Sequence, residues 1–306
     1  MVKYIIYKFL GRERIMKFGA IDASGNRFLC GITTENGDTI DKAVFLTETP
    51  AKTMPQVIDY FKGKDIVALG LGCFGPIDLD PTSETYGFIK STPKEDWQDF
   101  DIVGTLKSAL NIPIFFDSHT NLAALGETIW GAAKNLKNTV YLTIGNGVGG
   151  GAIVENQLVH GMMHPEMGHM FINRHPRDKF VGTCPFHGGN CLEGMASIPS
   201  IERRWNKSLA SLSDDHMTWD LEAFYIGHAI VNYILVLAPE KIILGGLVMK
   251  YGNLFPKIRR EVKKLLNGYV KTPQIKNIDD YIVPPDLGEQ SGFFGAAALC
   301  MRKYKK

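Results

Sequence analysis

The chain has almost no net charge: 34 Lys and Arg stand against 32 Asp and Glu, a formal +2. That leaves no electrostatic reason to expect nucleic acid as a partner. No apolar run approaches the roughly 20 residues that span a bilayer, so membrane insertion is not expected. Cysteine is scarce, with five among 306 residues. Two sit in one tight group, which is no disulfide framework and reads as a metal site in a reducing compartment, hence the cytoplasm. Low-complexity segments and Ser/Pro linkers are missing, as are a Walker A loop and a dinucleotide fingerprint. Residues 1–15, MVKYIIYKFLGRERI, lack the clean apolar core and small-residue cleavage site of a signal peptide, because Lys8 interrupts the run. They read as an extension ahead of a second start at Met16.

What is present is ordinary globular material. Hydrophobic residues make up 45% and charged residues 22%, enough for a sizeable core, and the length suits two lobes of about 150 residues each. From Lys17 to Thr47 the pattern predicts three short strands joined by turns at Ser24-Gly25-Asn26 and Asn36-Gly37. A helix near Pro55–Phe61, a buried strand over Ile66–Gly72, a helix over Asp101–Leu110 and a buried strand over Ile112–Phe116 follow. The pattern then restarts. Thr139–Ile144 is a strand, Gly145–Gly151 a glycine-rich turn and Ala152–Val154 a strand. Helices follow near Leu221–Leu237 and Leu254–Leu266, with strands at Lys241–Leu244 and Tyr281–Val283. A small-residue helix runs from Ser291 to Cys300. The repeated order predicts two related α/β lobes with mixed sheets and a cleft between them, a favoured place for a ligand.

The sharpest local signal is His169, Cys184, His187 and Cys191. Thiolate and imidazole are the preferred donors to zinc, and four of them close a tetrahedron. Pro185 and Gly188-Gly189 let the backbone bend so that the side chains converge. A closed four-ligand site leaves no position for water, so this zinc is expected to be structural. Two glycine-rich turns come next. The run Gly145–Gly151, opening with Gly145-Asn146-Gly147, lets backbone amides approach an anion, and Ser24-Gly25-Asn26-Arg27 occupies the matching place in the first lobe. Gly245-Gly246 ends a strand in the second. Three such points at strand ends predict a nucleotide-phosphate site. A third group is polar: Asp117, His119 and Asn121 after the strand at Ile112–Phe116, Glu166 ahead of His169, and Glu193 after Cys191. Such groups bind sugar hydroxyls, and a carboxylate or imidazole can take a proton from one.

The run HPEMGH, residues 164–169, together with Cys-Pro-Phe-His and Cys191-Leu-Glu-Gly resembles the ROK-family sugar kinases, and among them the bacterial fructokinases. GCFGPIDLD (Gly72–Asp80), TYGFIKSTPK (Thr85–Lys94), NLAALGE (Asn121–Glu127) and DYIVPP (Asp280–Pro285) fit the same group, so the likeness runs from about Met16 to the C-terminus. It implies two actin-like, ribonuclease-H-like lobes. These are placed at 16–118 and 119–290, with a zinc loop at 164–194 and a helix near 291–306 packing back on the first lobe. It implies transfer of the ATP γ-phosphoryl group to the 6-hydroxyl of fructose with Mg²⁺, and a homodimer. Asn121, Glu166, His169 and Glu193 are then expected to contact the sugar or hold its loop. Gly25, Asn26, Arg27, Gly145, Asn146 and Gly147 border the ATP phosphates, and Gly245 and Gly246 lie near the adenosine.

Some positions depart from the family pattern. The base that accepts the hydroxyl proton is usually Asp; here the aligned residue is His119, with Asp117 two residues earlier. Both are candidates, expected to point the same way along an extended segment. Ser24, Asn26 and Arg27 stand where Gly, Thr and Lys are expected, Asn146 where Thr is, and Leu247 where a third Gly is. His187 and Cys191 are one residue further apart than in the pattern. These changes set a second reading beside the kinase: a catalytically weakened or non-catalytic sugar-binding protein on the same fold. A DNA-binding repressor of the family needs an N-terminal module of roughly 60 residues, against 15 here, and a purely structural protein is disfavoured by the glycine-turn plan.

Overall fold

The computed structural model describes residues 15–304; the expected extension at 1–15 lies outside the described residues save for its last one. Two compact units are formed. Among the described residues, unit 1 is 15–117 together with 296–304, and unit 2 is Ser118–Gly295.

Unit 1 is built on β1 (Lys17–Ser24), β2 (Arg27–Thr34), β3 (Thr39–Leu46), β4 (Ala68–Cys73) and β7 (Ile114–Ser118), in the sheet order β3-β2-β1-β4-β7. A separate small ribbon pairs β5 (Phe88–Ile89) with β6 (Phe100–Asp101). The first three strands form an antiparallel meander, and β4 joins β1 in parallel. Six of eight positions in β1 and in β2 are buried, so both read as apolar runs rather than alternations, as strands covered on both faces do. Only Gly25 and Asn26 separate them. Gly25 has φ +79° with open space around it, so the left-handed backbone of the turn is what calls for glycine. Helix α1 (Pro50–Phe61) starts five residues earlier than expected. A proline at the first helical position has φ already set for a helix and loses no bond, and Thr53, Met54, Val57 and Phe61 form its buried face. Helix α2 (Ile102–Leu110) is capped by the Asp101 carboxylate, which accepts the Gly104 N–H at 2.7 Å.

Unit 2 repeats the plan. Its sheet runs β10 (Gln157–Leu158), β9 (Val148–Val154), β8 (Thr139–Ile144), β11 (Lys241–Gly245), β12 (Ile282–Val283). Again three strands pair antiparallel and two more join in parallel. Helices α3 (His119–Ile129), α4 (Leu192–Ala196), α5 (Ile198–Trp205), α6 (Thr218–Leu237), α7 (Leu254–Leu266), α8 (Pro273–Lys276) and α9 (Ile278–Tyr281) complete it, and α10 (Ser291–Tyr304) closes the chain. Among the described residues α6 has the length and mean hydropathy, 1.3, of a membrane span. Asp220 and Glu222 interrupt it, so it is not an unbroken apolar run. Trp219, Tyr225, Ile226 and Ile230 of α6 are wholly buried in the unit's core, each stabilising it by about 1.5–3 kcal/mol, and that packing explains the apolar composition.

Two further expectations change. The glycine-rich turn is shorter than Gly145–Gly151, because β9 begins at Val148. Gly149, Gly150 and Gly151 are strand residues. A Cβ on Gly151 would lie 2.4 Å from the Thr120 carbonyl oxygen, and one on Gly150 2.7 Å from Met167. These glycines serve the close packing of α3 and of the Met167–His169 turn on β9, not an open loop. Asp117 and His119 also do not share an extended segment: β7 ends at Ser118, the N-cap of α3, and His119 is the first helical residue.

Candidate active site and Cys/His cluster

The Cys/His cluster lies in unit 2. His169 ends a short 3-10 turn, Met167–His169. Cys191 is the N-cap of α4, its Sγ accepting the Gly194 N–H at 3.4 Å. Cys184 and His187 lie in the loop between. The donor atoms of all four residues fall within 4.8 Å of one another. His187 Nδ1 is 3.5 Å from Cys184 Sγ, and His169 Nδ1 is 3.7 Å from Cys184 Sγ and 3.8 Å from Cys191 Sγ. The extra residue between His187 and Cys191 is taken up where Gly188, at φ +56°, bridges back to Cys184 and the Asn190 N–H reaches the His187 carbonyl at 3.0 Å. Burial, with the neighbouring Cys184 adding to it, pushes the Cys191 thiol up to about 12.

Beside this cluster stand the polar groups. Glu193, two residues into α4, accepts the Val148 N–H through Oε2 at 2.9 Å, and its Oε1 lies 3.9 Å from His169 Nε2. Glu166 keeps 37% of its side chain accessible and faces His164 Nδ1 at 3.5 Å. Burial first, and the Glu193 charge second, push its carboxyl up to about 7. Asn121 is wholly buried on α3, with Nδ2 3.4 Å from His160 Nε2. Its backbone N–H caps onto Ser118 Oγ at 3.2 Å, an arrangement worth about 1 kcal/mol. His119 is partly open to solvent but closely surrounded by protein. That burial, and then His164, push its imidazole down to about 4.

The turn Gly145-Asn146-Gly147 follows β8, and Gly245 ends β11, its parallel neighbour, with Gly246 next. The carboxyl ends of adjacent parallel strands are where open α/β sheets take ligands. Gly246 has φ +94°, and a Cβ there would meet the Ile144 carbonyl oxygen at 2.2 Å, so the two glycine points lie side by side.

Unit 1 carries its own candidates. Gly25, Asn26 and Arg27 form the β1–β2 turn. Asp22, near the end of β1, is buried, and its Oδ1 has no hydrogen-bond partner. Burial pushes its carboxyl up to about 7 against the lowering effects of the Ser24 hydroxyl and the Arg27 charge. Asp117, also buried, acts with burial to push the Tyr86 phenol upward, burial being the larger cause.

The model of the ROK family matches residues 18–303. The chain belongs to the ROK family. It is 46% identical to a fructokinase of Lactococcus lactis subsp. cremoris over 286 residues, covering 92% of this chain and 94% of that one. To a fructokinase of Pediococcus pentosaceus it is 43% identical over 290 residues, 95% and 99% of the two chains. Among solved structures, a ROK hexokinase from Thermus thermophilus superposes with a TM-score of 0.75 at 23% identity, covering 95% of this chain and 99% of that one. The fold is therefore the two-sheet, actin-like ROK fold with mixed sheets.

Within this ROK chain, unit 2 brings together the Cys/His cluster, Glu193, Glu166 and the Gly147 turn, and it places His119 near His164. Asp22 was missed by the sequence reading, although a signal existed: it is the lone charge inside the apolar run FGAIDA. His160 and His164 were missed as well. The stretch HGMMHPEMGH holds three histidines in ten residues, and two of them flank the side chains singled out above.

Proposed function

We propose that this ROK protein transfers the γ-phosphoryl group of ATP to the 6-hydroxyl of a hexose, most of all D-fructose, giving fructose 6-phosphate and ADP. The observation that carries this reading is the full-length match to fructokinases at more than 40% identity over more than 90% of both chains. The Glu166, His169 and Glu193 group supports it. Carboxylates and an imidazole on one side of a site suit a polyol, whose hydroxyls donate to them. Asn121 serves the same sugar.

In the transfer the hydroxyl oxygen attacks the γ-phosphorus, the bond to the ADP oxygen breaks, and the hydroxyl proton leaves to a base. His119 suits this role better than Asp117. With its pKa near 4 it is neutral at pH 7, so a ring nitrogen keeps a lone pair. Its basicity is close to that of the carboxylate usual at this position. The amides of the Gly145–Gly147 turn border phosphate in this reading, with Gly245-Gly246 near the adenosine; within unit 1 the Gly25–Arg27 turn is assigned a phosphate contact of its own.

Two metals belong to it. Mg²⁺ neutralises charge on the phosphates when bound. Asp22 fits as its carboxylate: Oδ1 is buried without a partner, and the group is costly to ionise until a cation arrives. Zn²⁺ fits the four-residue cluster. A tetrahedral ion with bonds of about 2.0–2.3 Å sets its donors about 3.3–3.8 Å apart; three of the donor separations are 3.5, 3.7 and 3.8 Å, and all lie within 4.8 Å. Four protein donors make it structural, holding the segment that carries Glu166 and Glu193. A cytoplasmic homodimer completes the reading, and a solution mass near twice 34.0 kDa tests its assembly.

The test is ADP release with Mg-ATP and fructose, mannose or glucose over a pH series. Fructose-dependent release is expected. Sugar binding without release at any pH contradicts catalysis and leaves a sugar-binding protein.

A further inference from the structure

We propose that Glu193 is a positioning residue that couples the Cys/His cluster to the glycine turn, so that the metal state of the cluster sets the turn's affinity for nucleotide phosphates. The proposal rests on reading Gly145–Gly147 as a phosphate-binding turn.

Glu193 touches both sides of this coupling with one carboxylate. Oε2 accepts the Val148 N–H at 2.9 Å, and a Cβ on Gly147 would lie 2.8 Å from the same oxygen, so the turn rests directly on this group. Oε1 lies 3.9 Å from His169 Nε2, while Nδ1 of the same ring faces the thiols of Cys184 and Cys191 at 3.7 and 3.8 Å. An imidazole that ligates through Nδ1 carries its proton on Nε2, and the outward N–H of a metal-bound histidine commonly donates to a carboxylate. In this chain the carboxylate facing that N–H is Glu193. Without a metal the ring proton is free to sit on Nδ1, and a bare Nε2 lone pair then faces Oε1. The ring thus has two tautomers, one that draws Glu193 toward it and one that repels it.

The backbone makes the coupling short. Cys191 is the N-cap of α4 and Glu193 its second residue, so a donor of the cluster and the carboxylate sit on one helical turn. The Ile198 N–H donates to the Gly145 carbonyl at 2.8 Å, and Gly168 approaches the Val148 carbonyl so closely that a Cβ would lie 1.7 Å from its oxygen. Those contacts fix where the turn sits. The peptide between Gly147 and Val148 is held at both ends, its N–H by Glu193 at 2.9 Å and its carbonyl by the Gly145 N–H at 2.9 Å, so a shift of Glu193 re-aims this peptide and the Gly145 N–H with it.

The experiment measures ADP affinity, without sugar, in the zinc-loaded and chelated protein, for the wild type and for Glu193→Ala. Leaving sugar out keeps any loss of hexose contacts from entering. In the wild type, chelation is expected to weaken ADP binding about 10-fold, the scale of one hydrogen bond to a charged group. In Glu193→Ala the loaded protein is already weakened by that factor, and chelation adds less than about 2-fold, the non-additivity of two changes acting through one contact. Equal chelation losses in both proteins overturn the coupling. Absence of ADP binding by the loaded wild type overturns it together with the phosphate reading of the turn. Amide exchange at Val148 in zinc-loaded Glu193→Gln gives a second readout that needs no chelation. Faster exchange than in the loaded wild type is expected, and unchanged exchange overturns the role of Glu193.

Discussion

His119 and Asp22 are the two residues whose environments most alter their chemistry. His119 has its folded pKa depressed from 6.5 to about 4. As the base it must be neutral, so its own contribution to kcat/KM is expected to stay level from pH 8 to pH 5 and to fall as the pH drops toward 4, whereas a decline near 7 comes from Asp22 and Glu166, whose carboxyls are held up to about 7. A decline centred near 6.5 that disappears in His119→Asp contradicts this assignment. His119→Ala is expected to lower kcat by about 10²–10⁴, and His119→Asp to keep most of it. Wild-type activity in His119→Ala removes the role. Asp22 runs the other way, from 3.8 up to about 7. Between those values the folded protein holds a proton that the unfolded chain has lost, so this residue makes stability fall as the pH rises toward 7. Asp22→Asn is expected to raise the melting temperature at pH 8 in Mg²⁺-free buffer while weakening Mg-ATP binding; a lower melting temperature there contradicts the burial argument. At this scale the sequence revealed the cluster, because Cys-x2-His-x3-Cys is informative in itself. It did not reveal Asp22 or the state of His119, because both depend on what residues distant in the chain place around them.

The Cys/His segment and the strand β9 show what an element adds. Spacing alone brought His169, Cys184, His187 and Cys191 together, and the fold adds that they are tied to the Gly147 turn through Glu193. Cys184→Ser is expected to lower the melting temperature and fructose affinity together, measured by calorimetry; loss of neither dismisses the structural role of the metal. Glycine runs are less legible. Gly149–Gly151 looked like a turn, because composition does not distinguish a glycine needed for a bend from one needed for a close approach. Gly151→Ala tests the distinction. With a Cβ 2.4 Å from a backbone oxygen of α3, overpacking is expected to cost about 1–3 kcal/mol in denaturant unfolding. A cost below 0.5 kcal/mol, ordinary for an exposed site, contradicts the packing role.

For the molecule as a whole, the repeated pattern of three strands and then helices alternating with buried strands was legible from hydrophobic runs and turn residues. The sheet orders β3-β2-β1-β4-β7 and β10-β9-β8-β11-β12 were not, since strand order is set by which crossovers cover which face. The same holds for α6, where apolar composition alone leaves membrane and core alike open until its buried face is seen. Membership of the ROK family and the match to fructokinases converge on one reaction. The most direct measurement is the product formed by metal-loaded protein from Mg-ATP and fructose, followed by mass spectrometry and ADP release between pH 5 and 9. The account predicts fructose 6-phosphate and ADP in equal amounts. Sugar-independent ADP release, or none across that range, contradicts it.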